Sequence, residues 1–478
     1  MPATSFFWHD YETFGRVPRR DRPAQFAGVR TDLELNEIDS PVMHHCQPAP
    51  DVLPDPESVL LTGILPQHCL QQGLPEHAFA DAVLGELGRP GTIGVGYNSI
   101  RFDDEVTRFL FWRNLLDPYA REWRDDCSRW DLMDTVRCAY ALRPGGIEWP
   151  TDENGRVSFK LERLTAANGL AHDAAHDALS DVRATLALAR LVKSRHPRLW
   201  DFCLALREKA AVQAQIVGGR PLLHVSGRYP TERGCLAIVW PFAPHPVNRN
   251  EVIVWDLAHD PEELMALDAA QIRARLFVRQ ADLPEGTTRL PIKTIHINKS
   301  PVVVGKLNTL DPAMAERWGI DRAQADAHAQ KAARIGGEML GVWERVFARE
   351  APAQAPDVDE DLYGGFLQDD DRRRLQQLRA LPPQEMARAR PAFRDGRLEE
   401  LVFRFRARNF PGTLDDVEAL RWQRHCAGRL HGGAGGAMTL SAFQERVDQL
   451  AESADERGQA LLEALLDYAE SIAPEPMA

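Results

Sequence analysis

The 478-residue chain reads as an α/β layered region, then a small β-barrel, then a mostly helical C-terminal region. Three observations carry that reading. Short β-rich runs alternate with helical periodicity up to about residue 196; short β runs broken by Pro, Asn and Gly occupy roughly 197–350; and helical patterning is sustained beyond 351. A hydrophobic content of 44 % over this length is too much for one ordinary core and calls for two or three packed domains.

In order along the chain, Ser5–Trp8 and Thr92–Val95 are short, apolar and β-rich, which predicts strands, and Asp177–Lys193 carries apolar residues at helical spacing. The first domain is placed at 1–196, ending at His196-Pro197. The second, 197–350, opens with a helix and continues in β runs such as Cys235–Trp240 and Val252–Trp255, separated by turn residues. The segment APAQAPDVDED at 351–361 has linker composition and opens a helical domain, 351–478. That domain ends in a long amphipathic stretch carrying Leu450, Leu461, Leu462, Leu465 and Leu466.

Composition excludes several classes. No basic leader precedes an apolar run at the N-terminus and no stretch approaches the ~20 apolar residues that cross a bilayer, so a soluble cytoplasmic protein with no membrane association is expected. The seven cysteines are scattered and contain no CxxC pair, which argues against a zinc site or a disulfide framework. The net charge of −13 argues at first against a nucleic-acid partner. However, Ser441–Ala478 holds nine acids against Arg446 and Arg457, a charge of −7, so the rest of the chain carries −6. Carboxylates gathered around cations would account for more of it.

Chemistry concentrates in the first region. In FFWHDYET, Asp10 and Glu12 end an apolar strand at i and i+2, so the period-2 geometry puts both carboxylates on one face. Hard divalent cations take such oxygen ligands, although an acidic pair at a strand end is more often a solvated edge. The second element, GYNSIRFDD (Gly96–Asp104), is a Gly/Asn turn leading into a helix with two acids, which alone is ordinary helix N-terminal charge. The third, AHDALSD (Ala175–Asp181), sets His176 five residues before Asp181 at a helix start and brings an imidazole and a carboxylate towards one pocket. Tyr119, Trp123 and Trp130 lie among Arg108, Arg121, Arg124, Arg129, Arg137 and Arg143, a mixture suited to a single nucleic-acid strand, though any one aromatic is more often core.

Together and in this order the three elements resemble the exonuclease motifs of the DEDDh branch of the ribonuclease-H-like nucleases. The likeness narrows to bacterial exonuclease I through HDYETFG (His9–Gly15), DRPAQFAGVRTD (Asp21–Asp32), GYNSIRFDDEVTR (Gly96–Arg108), SRWDLMD (Ser128–Asp134), HINKSPVV (His296–Val303), LYGGF (Leu362–Phe366) and RARNFPGTL (Arg406–Leu414). It therefore runs through all three regions.

The resemblance implies a ribonuclease-H-like nuclease domain, a Src-homology-3-like barrel and a helical C-terminal domain. It also implies 3′→5′ hydrolysis of single-stranded DNA to 5′-mononucleotides, in repair and recombination. The metal ligands would be Asp10, Glu12, Asp103 and Asp181, holding two magnesium ions roughly 3.5–4 Å apart, with manganese able to substitute. His176 would be the general base, its imidazole titrating near neutrality. Glu12, Arg108, Tyr119, Trp123, Arg137, Arg143 and Lys160 would face the DNA, with Lys160 near the scissile nucleotide where the family often has arginine. Asn250, His296, Asn298, Lys299 and Tyr363 are further nucleic-acid candidates whose plainer reading is turn and barrel chemistry. The implied partners are single-stranded DNA and the acidic C-terminal tail of single-stranded-DNA-binding protein, met by a monomer. Two alternatives remain at this stage: a DEDDh 3′ exonuclease acting on RNA or as a proofreading subunit, and a non-enzymatic single-strand-binding protein.

Overall fold

A computed structural model describes residues 4–171, 177–348 and 356–475. The chain forms two compact units: Met1–Ser128, His172–Arg183 and Ala353–Ala478 make the first, Arg129–Ala171 and Ala184–Pro352 the second.

The first unit is organised by β1 (Ser5–Thr13), β2 (Pro23–Thr31), β3 (Val42–His45) and β4 (Thr92–Gly96); with β5 (Ser128–Asp131) the sheet order is β3-β2-β1-β4-β5. Phe6, Phe7 and Trp8 are all buried, so successive residues of β1 find cover on both faces, as befits a central strand. β1 pairs antiparallel with β2 over most of its length, but parallel with β4 only from Ser5↔Thr92 to Trp8↔Val95. Its last residues therefore outrun β4. After β4 the chain turns through Asn98, whose φ of 64° suits an asparagine, into the helix Asp103–Arg113.

The C-terminal helices are built into this unit. Leu430, Phe443, Val447, Leu462 and Leu465 share a core with Phe14, Leu53, Val59 and Cys69, and Leu375, Leu398, Leu401 and Phe405 share another with Phe109 and Trp112. The expected long final segment is two helices, Leu440–Ala451 and Glu456–Ile472, divided where Asp455 caps the second by accepting from the Gly458 N–H at 2.7 Å. Part of the linker-like segment is also held. Half-buried Asp357 pairs with Arg404, and buried Asp359 pairs with Arg408 and Arg22, partners that local composition does not reveal. Residues 351–355 lie outside the described residues.

The second unit carries β6 (Leu222–Val225), β7 (Leu236–Pro244), β8 (Glu251–Asp256), β9 (Ile292–His296) and β10 (Val302–Val304) in the order β10-β6-β7-β8-β9, with every pair antiparallel. The result is a half-barrel, whose inward Leu222, Ala237, Val239, Val254, Ile295 and Val303 form one core with Leu206 and Val212. All seven cysteines are buried and none forms a disulfide. Among the described residues no helix is long and apolar enough to cross a membrane.

Candidate active site

The part of β1 that outruns β4 carries Asp10 and Glu12 on one face. Asp181, in the first turn of the helix Ala178–Arg195, joins them: one carboxylate oxygen from each of Asp10, Glu12 and Asp181 lies within 4.8 Å of the other two. The helix start is fastened by Gln25, which faces Glu12 across the β1–β2 ladder and accepts from the Ala178 N–H at 3.1 Å. Asp103 enters from the turn after β4. Its Oδ1 accepts the Tyr11 N–H at 3.1 Å, and its carbonyl receives the Thr107 hydroxyl at 2.8 Å. The structure thus brings all four predicted carboxylates to the end of one strand. His176 lies outside the described residues.

This crowding shows in the proton affinities. Burial, then the carboxylates of Asp103, Glu12, Asp181 and Asp177, push Asp10 well above the ordinary aspartate range. Burial, then Asp181 and Asp177, push Glu12 up to about 8. A set of acids that cannot all ionise together unaided is what a cation would neutralise, and an all-oxygen donor set fits a hard divalent ion. Two supporting residues were not singled out from sequence. Gln25 lies inside the DRPAQFAGVRTD segment without a signal of its own, whereas Asp177 could have been read as a helix cap, and its Oδ1 accepts the Ser180 N–H at 3.0 Å.

The predicted DNA-facing residues fall into local groups. In the first unit Trp123 is 64 % exposed, with the Arg124 guanidinium 5.6 Å from its ring centre. Arg108 is buried and bound bidentately by Glu122 at 2.7 and 2.8 Å; its Nη1 lies 3.1 Å from the Tyr363 hydroxyl, which also bonds Glu105. Its guanidinium also lies 5.2 Å from the Tyr119 ring, so Arg108 braces the two tyrosines. Phe366, which sequence reading did not select, is 79 % exposed with its ring 6.0 Å from Tyr119. Its signal is an aromatic beside a glycine pair in LYGGF.

In the second unit Trp130 is core, packed edge-on against Trp200 at 4.7 Å, which corrects its grouping with the stacking aromatics. Arg137 pairs with Asp134 at 2.6 Å and lies over Phe159, next to the exposed Lys160. Arg143 donates to the Thr309 carbonyl at 3.3 Å. Asn250, His296, Asn298 and Lys299 cluster where β8 meets β9: the Ile297 N–H donates to the Asn250 carbonyl at 2.8 Å, and the Lys299 N–H to that of His296 at 3.2 Å. The Asn250 side chain accepts from Lys209 at 2.8 Å, and burial holds His296 below the ordinary histidine value.

Comparison with known proteins covers nearly the whole chain. Residues 7–189 match the family model described as exonuclease, 207–349 the exonuclease I SH3-like domain, and 356–472 the exonuclease I C-terminal domain. The exodeoxyribonuclease I of Escherichia coli is 45 % identical over 480 residues, spanning 98 % of this chain and 98 % of that protein. Among solved structures, a moderately thermophilic exonuclease I from Methylocaldum szegediense superposes with a TM-score of 0.93 at 47 % identity, covering 98 % of this chain and all of that one (100 %). A zinc-bound form of the E. coli exonuclease I–single-stranded DNA complex gives 0.92 at 43 %, covering 98 % and 99 %.

Proposed function

The chain belongs to the exonuclease I family, and on that premise we propose that it is a magnesium-dependent exodeoxyribonuclease releasing 5′-mononucleotides from the 3′ end of single-stranded DNA. It is an exonuclease that depends on a divalent metal and binds single-stranded DNA. The observation that carries the finer reading is the convergence of Asp10, Glu12 and Asp181 within 4.8 Å at the end of β1. The barrel and C-terminal matches favour this activity over an RNA-directed or proofreading DEDDh enzyme, for which neither domain is expected.

In the mechanism we infer, Asp10, Glu12, Asp103 and Asp181 would hold two divalent ions, whose chemistry when bound would be to stabilise charge on the scissile phosphate and to acidify the attacking water. His176 accepts that water's proton. Trp123, Tyr119, Tyr363 and Phe366 offer ring faces to successive bases, while Lys160, Arg137 and Arg143, with Asn250, His296, Asn298 and Lys299, supply contacts along the backbone. An all-oxygen donor set favours magnesium over softer ions. Repair and recombination as the setting, a monomeric state, and the acidic tail of single-stranded-DNA-binding protein as partner belong to the same reading.

The test is a digest of matched oligonucleotides labelled at either end, in magnesium. Single-stranded DNA should lose its 3′ label first and yield 5′-monophosphates, with RNA, blunt duplex and 3′-blocked strands degraded far more slowly. Release of the 5′ label first, or efficient digestion of the 3′-blocked strand, would overturn the proposal.

A further inference from the structure

On the face of β1 opposite the carboxylates, Arg121 and Asp104 form an ion pair whose side chains are 0 % and 2 % exposed. Asp104 directly follows Asp103 in the first turn of the helix Asp103–Arg113, so the pair stands one peptide from a proposed metal ligand. Phe102, at the N-cap of that helix, supplies no capping side-chain bond. Tertiary links therefore help to locate the helix start: Asp104 to Arg121, Asp103 to the Tyr11 N–H, and Thr107 to the Tyr11 hydroxyl at 3.0 Å.

Two further observations mark the pair as unusual. The guanidinium lies against Gly94 of β4, where a Cβ would stand 3.2 Å from Arg121 Nη1, so a side chain there would press on the guanidinium. The Nε and Nη1 of Arg121, and Nδ1 of the neighbouring His9, have no hydrogen-bond partner among the described residues. A cation buried with unpartnered nitrogens costs stability that an apolar side chain of similar volume would not. That cost points to a task other than holding the fold together.

We propose that Arg121 is a positioning residue for the metal centre: through Asp104 it fixes the first turn of the helix Asp103–Arg113, and so holds the Asp103 carboxylate where it faces Asp10. This rests on the reading of Asp10, Glu12, Asp103 and Asp181 as a metal site. Arg121→Lys keeps the charge but loses the planar fork that sets the direction of the bond to Asp104. The double variant Arg121→Gln/Asp104→Asn replaces the ion pair by a neutral hydrogen-bonded one and leaves no buried charge unpaired.

The experiment titrates Mn²⁺ into the full-length protein by calorimetry and measures, on a single-stranded oligodeoxynucleotide, kcat as a function of Mg²⁺ together with KM. Both variants should bind metal about 10–100-fold more weakly, as when an outer partner of a ligand is lost. Their KM for DNA should be unchanged, and their kcat should recover as Mg²⁺ is raised. Wild-type metal midpoints in a folded variant, even with a lowered Tm, would reduce the pair to a structural one and overturn the proposal. If Arg121→Lys fails to fold, the double variant decides. Asp10→Asn is the control. Loss of metal binding in Asp10→Asn beside wild-type midpoints in the Arg121 variants would sink this inference alone, whereas wild-type metal binding in Asp10→Asn would sink the metal-site reading on which it rests.

Discussion

The backbone N–H of Tyr11 donates to Asp103 Oδ1 at 3.1 Å. The bond exists because β1 outruns β4, and it holds Asp103 against Asp10. At the same strand end, burial and then the carboxylates of Asp181 and Asp177 create a pH-dependent strain at Glu12. Glu12 is raised from its ordinary 4.5 to about 8, so the metal-free folded protein keeps a proton that the unfolded chain gives up near 4.5. This contribution to stability is complete below 4.5 and is lost as pH rises to about 8. A divalent cation held by the ionised carboxylates would reverse the loss. Magnesium should therefore raise the thermal midpoint little at pH 5.5 and substantially at pH 8.5, as followed by calorimetric unfolding; equal gains at both pH values would contradict this.

Trp123 stands 64 % exposed and Phe366 79 % exposed in the first unit. Base stacking on an aromatic is worth about 1–3 kcal/mol, so Trp123→Ala or Phe366→Ala should weaken binding of a dT oligonucleotide roughly 5- to 150-fold. The rate at saturating DNA should hardly change. Trp130→Ala should behave differently, costing about 3–5 kcal/mol of stability, because that ring is packed against Trp200 in a core. Fluorescence anisotropy with the metal-free protein, alongside urea unfolding, separates the two effects.

Arg408 links the C-terminal helices to the sheet region of the same unit, donating to Asp51 at 3.0 and 2.7 Å and to Asp359 at 3.1 Å. Asp51 is fully buried, and Arg408, the His425 bond and Arg429 hold its carboxyl well below the ordinary range despite burial. Removing the arginine leaves buried carboxylates uncompensated, so Arg408→Ala should cost about 3–5 kcal/mol in denaturant unfolding. Because these acids have lowered proton affinity, the network's stability is present above the ordinary aspartate range and is lost as pH falls below it. An unfolding midpoint unchanged by the substitution would show that the network carries no stability.

The strand Ser5–Thr13 and its two carboxylates were legible because an apolar run and an i, i+2 spacing are local features, and the helix carrying Asp181 because its periodicity is. The grouping of the four acids followed from the order of three motifs rather than from any one of them. What escaped was decided by partners far along the chain. Gln25 fastens the helix that starts at Ala178, Arg108 is claimed by Glu122, and Asp357 and Asp359 turn a linker-like composition into a buried ion-pair network. Nor could periodicity tell Trp130 from Trp123, since only packing decides which ring meets water. The interleaving of the first and last thirds into one unit is likewise a tertiary fact, carried by cores that join Phe14 to Phe443 and Phe109 to Phe405.

His176 lies outside the described residues, and its role is tested by substitution alone. General-base catalysis contributes about 10²–10⁴-fold, so His176→Ala should lower kcat by that order while calorimetric Mn²⁺ binding and DNA affinity stay close to wild type. The acidic limb of the rate profile should disappear with the imidazole. Weakened metal binding with an unaltered profile would make His176 structural.

Single-turnover cleavage of a 3′-labelled single-stranded oligodeoxynucleotide in saturating Mg²⁺, comparing the wild type with Asp10→Asn, tests the carboxylate cluster most directly. Asp10 is the acid surrounded by Asp103, Glu12 and Asp181, and its neutral isostere keeps the shape of the site while removing a charge that would hold the cation. The rate should fall by at least about 10³-fold with oligonucleotide affinity retained, and above the ordinary aspartate range the metal-free variant should melt higher than the metal-free wild type, because Asn lacks the ionisation that burial and the neighbouring acids penalise. Near-normal turnover by Asp10→Asn would contradict the account.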